Sequence, residues 1–209
     1  MTRPTDDLRA ASAWDAAVDH PFVHELAAGT VDDDVFARYL VADRAFVTAL
    51  TGVFGRALAQ APPESRAPLA GFLGVLTDEE DDYFERALDA LPAPPGDPAR
   101  HPTTEAFRDH LLAAADEGGY AETLAVLVPA EWCYLDWAQG IDDPPGPFYR
   151  REWVTLHAND EFAGFVDWLR SQLDREFETL SPRRTDRVRR RFERTVRLEA
   201  DFFDAAYDG

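Results

Sequence analysis

Apolar residues recur at spacings of three and four along almost the whole chain, and no stretch alternates strictly between apolar and polar positions with turn residues at its ends. This pattern predicts an all-α protein. Asp6 or Asp7 can cap a first helix running to about residue 19, where His20-Pro21 breaks it, because a residue before proline is pushed out of the helical region. Asp32 to Asp34 open a long helix that ends near Gln60, before Ala61-Pro62-Pro63, and another helical stretch covers roughly residues 64 to 91. Pro92 to Pro98 holds too many prolines to be helical. Further helices fit residues 103–117, 120–140, 147–157, 160–179 and 182–207, with Pro129 kinking the second of these. Without repeats or low-complexity tails, the proline-rich segment reads as a connection inside a single domain over residues 1–209.

Three apolar stripes are interrupted by an acid. Phe36, Leu40, Val47, Leu50 and Phe54 share a line with Asp43; Phe192, Val196, Phe203 and Ala206 share one with Glu199; Leu124, Leu127, Tyr134 and Ala138 share one with Glu131. A carboxylate on such a stripe costs several kcal/mol of desolvation unless it is hydrogen-bonded or takes up a proton. The alternatives are a structural hydrogen bond for Asp43, a surface charge for Glu199 and an outward turn of Glu131 caused by Pro129. Carboxylates inside a bundle can divide acid and base roles, because burial and mutual repulsion separate their pKa values.

Charge narrows the function classes. The formal net charge is -19, from 40 acidic and 21 basic residues, and every basic residue is Arg. Such acidity repels phosphate backbones, which argues against nucleic-acid binding, and suits a salt-rich cytoplasm where screening removes self-repulsion; a halophilic source is expected. The arginine-rich run from Arg183 to Arg194 spreads around a helix and alternates with Asp186 and Glu193, which reads as a solvated face with acidic neighbours. No apolar run reaches the roughly 20 residues of a membrane span, and the first residues are charged rather than signal-like, so a cytoplasmic protein is expected. The single cysteine, Cys133, can form no internal bridge and fits a reducing compartment.

Four segments carry a family resemblance: His20-Pro21-Phe22-Val23, Phe36 to Asp43, Leu127 to Tyr134, and Leu198 to Phe203. In order and spacing the chain resembles the TenA proteins, also called thiaminase II or aminopyrimidine aminohydrolases. The resemblance implies a heme-oxygenase-like helical bundle, commonly tetrameric. It places the family's pyrimidine-binding aspartate on Asp43, its active-site tyrosine on Tyr134 and its catalytic glutamate on Glu199. The nucleophilic cysteine of the family falls on Ala130, which implies the cysteine-less branch, with Glu131 as the candidate substitute. Three pocket tyrosines fall on Phe46, Phe107 and His157, which keep rings and lose hydroxyls. The function so implied is hydrolysis of an exocyclic C–N bond of an aminopyrimidine, of the aminomethyl or formylamino type, without cofactor or metal. A di-metal oxidase of the same fold and a non-catalytic pyrimidine-binding or regulatory protein are the alternatives. Among the five histidines, His157 near Asp160 and Glu161 is the best remnant of a metal site.

Overall fold

The longest apolar stripes form the longest helices. In a computed structural model, which describes residues 2–208, the order is α1 (Pro4–Ala11), α2 (Trp14–Val18), α3 (Pro21–Ala28), α4 (Asp33–Gln60), α5 (Arg66–Thr77), α6 (Glu79–Ala90), α7 (Pro102–Glu117), α8 (Tyr120–Gln139), α9 (Phe148–Ala158), α10 (Asp160–Phe177) and α11 (Pro182–Ala205). No strand occurs among the described residues.

Three details differ from the periodicity. The first expected helix divides at Ser12, whose backbone is extended and whose hydroxyl donates to the Arg9 carbonyl at 2.8 Å. A serine that bonds its own backbone competes with helix propagation, and the break turns Trp14 into the core. Next, His20-Pro21 starts a helix as well as ending one. Pro21 occupies the first position of α3, where its missing N–H costs nothing, and His20 Nδ1 accepts the Phe22 N–H at 3.1 Å. Gly29 then ends α3 at φ +69°, a left-handed conformation, with Pro145 so close that an added Cβ would lie 2.8 Å from its Cγ. Finally, the stretch expected over residues 64 to 91 breaks at Asp78. Glu79, Glu80, Asp81 and Asp82 fill the first turn of α6, where acids are stabilised by the helix dipole, so a new helix start is favoured there.

α8 is the centre of the bundle. Residues 120–135 are all buried, as expected of a helix apolar on every side, and Pro129 lies within it without ending it. α11, α10, α4, α7 and α9 pack around it. The arginine-rich α11 pairs with acids: Arg187 with the buried Glu122 at 2.9 Å, Arg191 with Glu117 at 3.4 Å and Arg197 with Glu193 at 3.5 Å. No described helix is long and apolar enough to cross a membrane.

Candidate active site

α4, α6, α8 and α11 each carry a carboxylate without an ion pair into the interior: Asp43, Glu80, Glu131 and Glu199, none more than 7% exposed. Each occupies a core position of its helix, so the packing of neighbouring apolar residues fixes where it points. Glu122 is buried too, but it has Arg187 as partner. The four interior acids have no ion pair among the described residues, and Oδ2 of Asp43, Oε1 of Glu131 and Oε1 of Glu199 have no hydrogen-bond partner. Unpaired buried carboxylates lower their cost by holding protons. Burial accordingly pushes Asp43, Glu131 and Glu199 well above the usual carboxylate range, and mutual repulsion adds to it: Glu80 acts on Asp43, Glu80 and Asp43 on Glu131, Asp43 and Glu131 on Glu199. Burial, then the charge of Glu79, raises Glu80 to about 8.

Asp43, Glu80 and Glu131 wall a cavity of about 20 Å³ together with Phe46, Tyr134 and His157. Apolar side chains such as Leu50 and Leu76 close the remainder, and Ala130 contributes its methyl group. This is room for about one water molecule, so a pyrimidine ring can bind only if side chains move apart. Two residues expected at the site stand outside this wall. Glu199 lies behind it, coupled electrostatically to Asp43 and Glu131. Phe107 supports Phe46 from the rear, with ring centroids 4.6 Å apart, and also meets Phe202 of α11 at 6.1 Å. The His157 ring packs tilted against Tyr134, with centroids 5.0 Å apart, and its Nδ1–H donates to the Trp153 carbonyl at 2.9 Å, which leaves Nε2 as an acceptor. Burial lowers its pKa to about 4, so the imidazole is neutral.

Sequence reasoning missed Glu80 and two members of a polar relay. Trp153 Nε1–H donates to the Tyr39 oxygen at 3.2 Å, and the Tyr39 and Tyr134 hydroxyl oxygens lie 2.8 Å apart. An indole N–H only donates, so Tyr39 accepts from Trp153; between the two hydroxyls either oxygen can donate, and the Tyr134 hydroxyl also favours the ionised Asp43. Tyr39 lies one helical turn before Asp43. Glu80 begins the stripe Glu80, Tyr83, Phe84, Ala87, the same signal as the other three acids, but it is hidden within a run of five acids from Asp78 to Asp82.

Cys133 is buried away from the cavity wall, and burial, followed by the nearby Glu199, pushes its thiol well above the usual range. A thiol held protonated is a poor nucleophile. Among the described residues no group of three or more His, Cys, Asp or Glu side chains is arranged to hold a metal ion.

Known proteins share this arrangement of helices. An "Aminopyrimidine aminohydrolase" of Halalkalibacterium halodurans is 30% identical over 211 residues, covering 96% of this chain and 92% of that protein. The solved structure of a TenA homologue from P. horikoshii OT3 superposes with a TM-score of 0.85 at 26% identity, covering 99% of each chain. A domain from Shewanella denitrificans with a heme-oxygenase-like fold superposes with a TM-score of 0.65 at 16% identity, covering 98% of this chain and 90% of that one. The fold is therefore heme-oxygenase-like. The model of the TENA/THI-4/PQQC family matches residues 8–209, and the chain belongs to that family.

Proposed function

We propose that this protein is a hydrolase that cleaves the exocyclic C–N bond of an aminopyrimidine, a thiamine breakdown product, by carboxylate acid–base chemistry without a cysteine nucleophile. The observation that carries this reading is a buried cavity walled by carboxylates that lack cationic partners, with Ala130 at the position where the resemblance puts the cysteine. The relatives named aminopyrimidine aminohydrolases supply the substrate class.

In this reading the pyrimidine enters between Phe46 and Tyr134 as the cavity widens, and Phe107 backs the stack. Asp43, which the Tyr134 hydroxyl helps to ionise against the effect of burial, accepts hydrogen bonds from the ring amine. The same widening brings Glu199 into the site, where its ionised form takes a proton from water, whose oxygen forms the new C–O bond as the C–N bond breaks and its electron pair leaves with nitrogen. Glu131 delivers a proton to the departing amine, and His157 Nε2 is free to accept a hydrogen bond from the substrate. Attack in one step suits a site without a cysteine better than a covalent intermediate does. By family resemblance the active form is a homo-oligomer, and the acidic composition suits a halophile's cytoplasm.

Amide variants test the roles. Asp43→Asn and Glu199→Gln should both fold, because each removes a costly buried acid and keeps its shape. Glu199→Gln should lose on the order of a hundredfold to ten-thousandfold in kcat, and Asp43→Asn should mainly raise KM. Full activity in both variants would contradict the hydrolase reading, and collapse of both folds would make the carboxylates structural.

A further inference from the structure

A second, larger pocket of about 300 Å³ lies outside the carboxylate cavity, between α5, α6, α9 and α10. Its walls are apolar, with Phe72, Val75 and Phe162 prominent, and its rim is acidic, with Glu79 and Glu161. Glu80 belongs to the walls of both spaces, the only carboxylate to do so. Three other acids of α6 have arginine partners: Arg44 pairs with Asp81 at 2.8 Å and with Glu85 at 3.8 Å, and Arg86 pairs with Asp82 at 2.8 Å. Glu80 itself has no hydrogen bond or ion pair among the described residues, although it is only 7% exposed. Inward of it lie two further unpartnered oxygens, on Asp43 and Glu131.

We propose that Glu80 is the substrate-selecting residue of this site, standing where the outer pocket meets the inner cavity and pairing with the ammonium group of a cationic amine substrate. The charge balance carries the inference. No Arg lines either space, and the neutral His157 supplies no charge, so among the described residues nothing but a bound proton compensates these acids until a cationic ligand arrives. A charged amine arriving through the acidic rim replaces a proton on Glu80 and gains a charge-assisted hydrogen bond. A neutral group of the same size gains neither. The inference rests on the proposed function for the identity of the ring, and it separates an aminomethylpyrimidine, which is cationic, from a formylamino one, which is not.

The test compares aminomethylpyrimidine with hydroxymethylpyrimidine, a neutral compound of nearly the same shape. Equilibrium binding of both is measured by calorimetry in the Glu199→Gln background, with Glu80 intact, replaced by Gln or replaced by Asp. Ammonia release by the unaltered chain is followed in parallel. With Glu80 intact the amine should bind more tightly than the alcohol. Glu80→Gln should reduce that preference about tenfold or more, the scale of one charge-assisted bond, and leave alcohol binding within about twofold. Glu80→Asp keeps the charge and should retain most of the preference. This outcome supports the selecting role even if no ammonia is released, which would count against the hydrolase alone. An unchanged preference in Glu80→Gln, or equal losses for both compounds, overturns the role even if ammonia release is rapid. If the intact protein binds neither compound, both readings fall.

Discussion

At Glu80 and His157, burial acts with opposite sign on two groups in one cavity wall. Glu80 holds its proton more tightly when folded, at about 8 against an ordinary 4.5, so its favourable contribution is complete below about 4.5 and is lost as pH rises through about 8. His157 is depressed from 6.5 to about 4, so its contribution is complete above 6.5 and is lost as pH falls through about 4. Between pH 6.5 and 8.5 the carboxyls alone act, and stability should decline with rising pH. Asp43, Glu131 and Glu199 share the raised direction, so Glu80→Gln should lessen the decline without removing it. Urea unfolding at those two pH values reads the difference; an equal decline in the variant and the parent would mean that Glu80 is ionised in the folded protein throughout.

The helices were legible in the sequence wherever one stripe met one core. α4, α7, α8 and α10 start and end close to their expected limits, and the acids interrupting the stripes of α4, α8 and α11 do lie inside. What periodicity could not supply was local competition: a serine bonding its own backbone before α2, a proline that opens α3, and an acid run that restarts the chain as α6. The same acid run concealed Glu80, since five consecutive acids read as a solvated helix start rather than as one buried group among four exposed or half-paired ones. Phe107 went to the second layer because a stripe says which face is buried and not which partner it meets. α5 offers a test at this scale. Gly74 lies inside the helix with open space where a Cβ would stand, so the residue adds flexibility to the unfolded chain without relieving any contact. Gly74→Ala should stabilise the protein by about 0.5–1 kcal/mol. A lower urea midpoint in that variant would show that α5 needs its glycine.

Across the molecule, a net charge of -19 sets like charges against one another on a surface held by arginine pairs that are individually worth about 0–1 kcal/mol. Screening relieves the repulsion more than it weakens the pairs, so the melting temperature should rise from millimolar to molar salt. No change over that range would detach the acidic composition from any salt adaptation. The interior follows different rules, because salt does not reach acids that are nine-tenths buried, and there the molecule keeps unpaired carboxylates around one small cavity with its only thiol outside the wall. The most direct measurement is therefore ammonia release from aminomethylpyrimidine in molar salt by the parent chain and by Cys133→Ala. The account predicts hydroxymethylpyrimidine and ammonia in equal amounts from both proteins, at rates within a few-fold, about the reach of a packing change at a buried thiol. A loss of about a hundredfold or more in Cys133→Ala, the scale of a missing catalytic group, would contradict it.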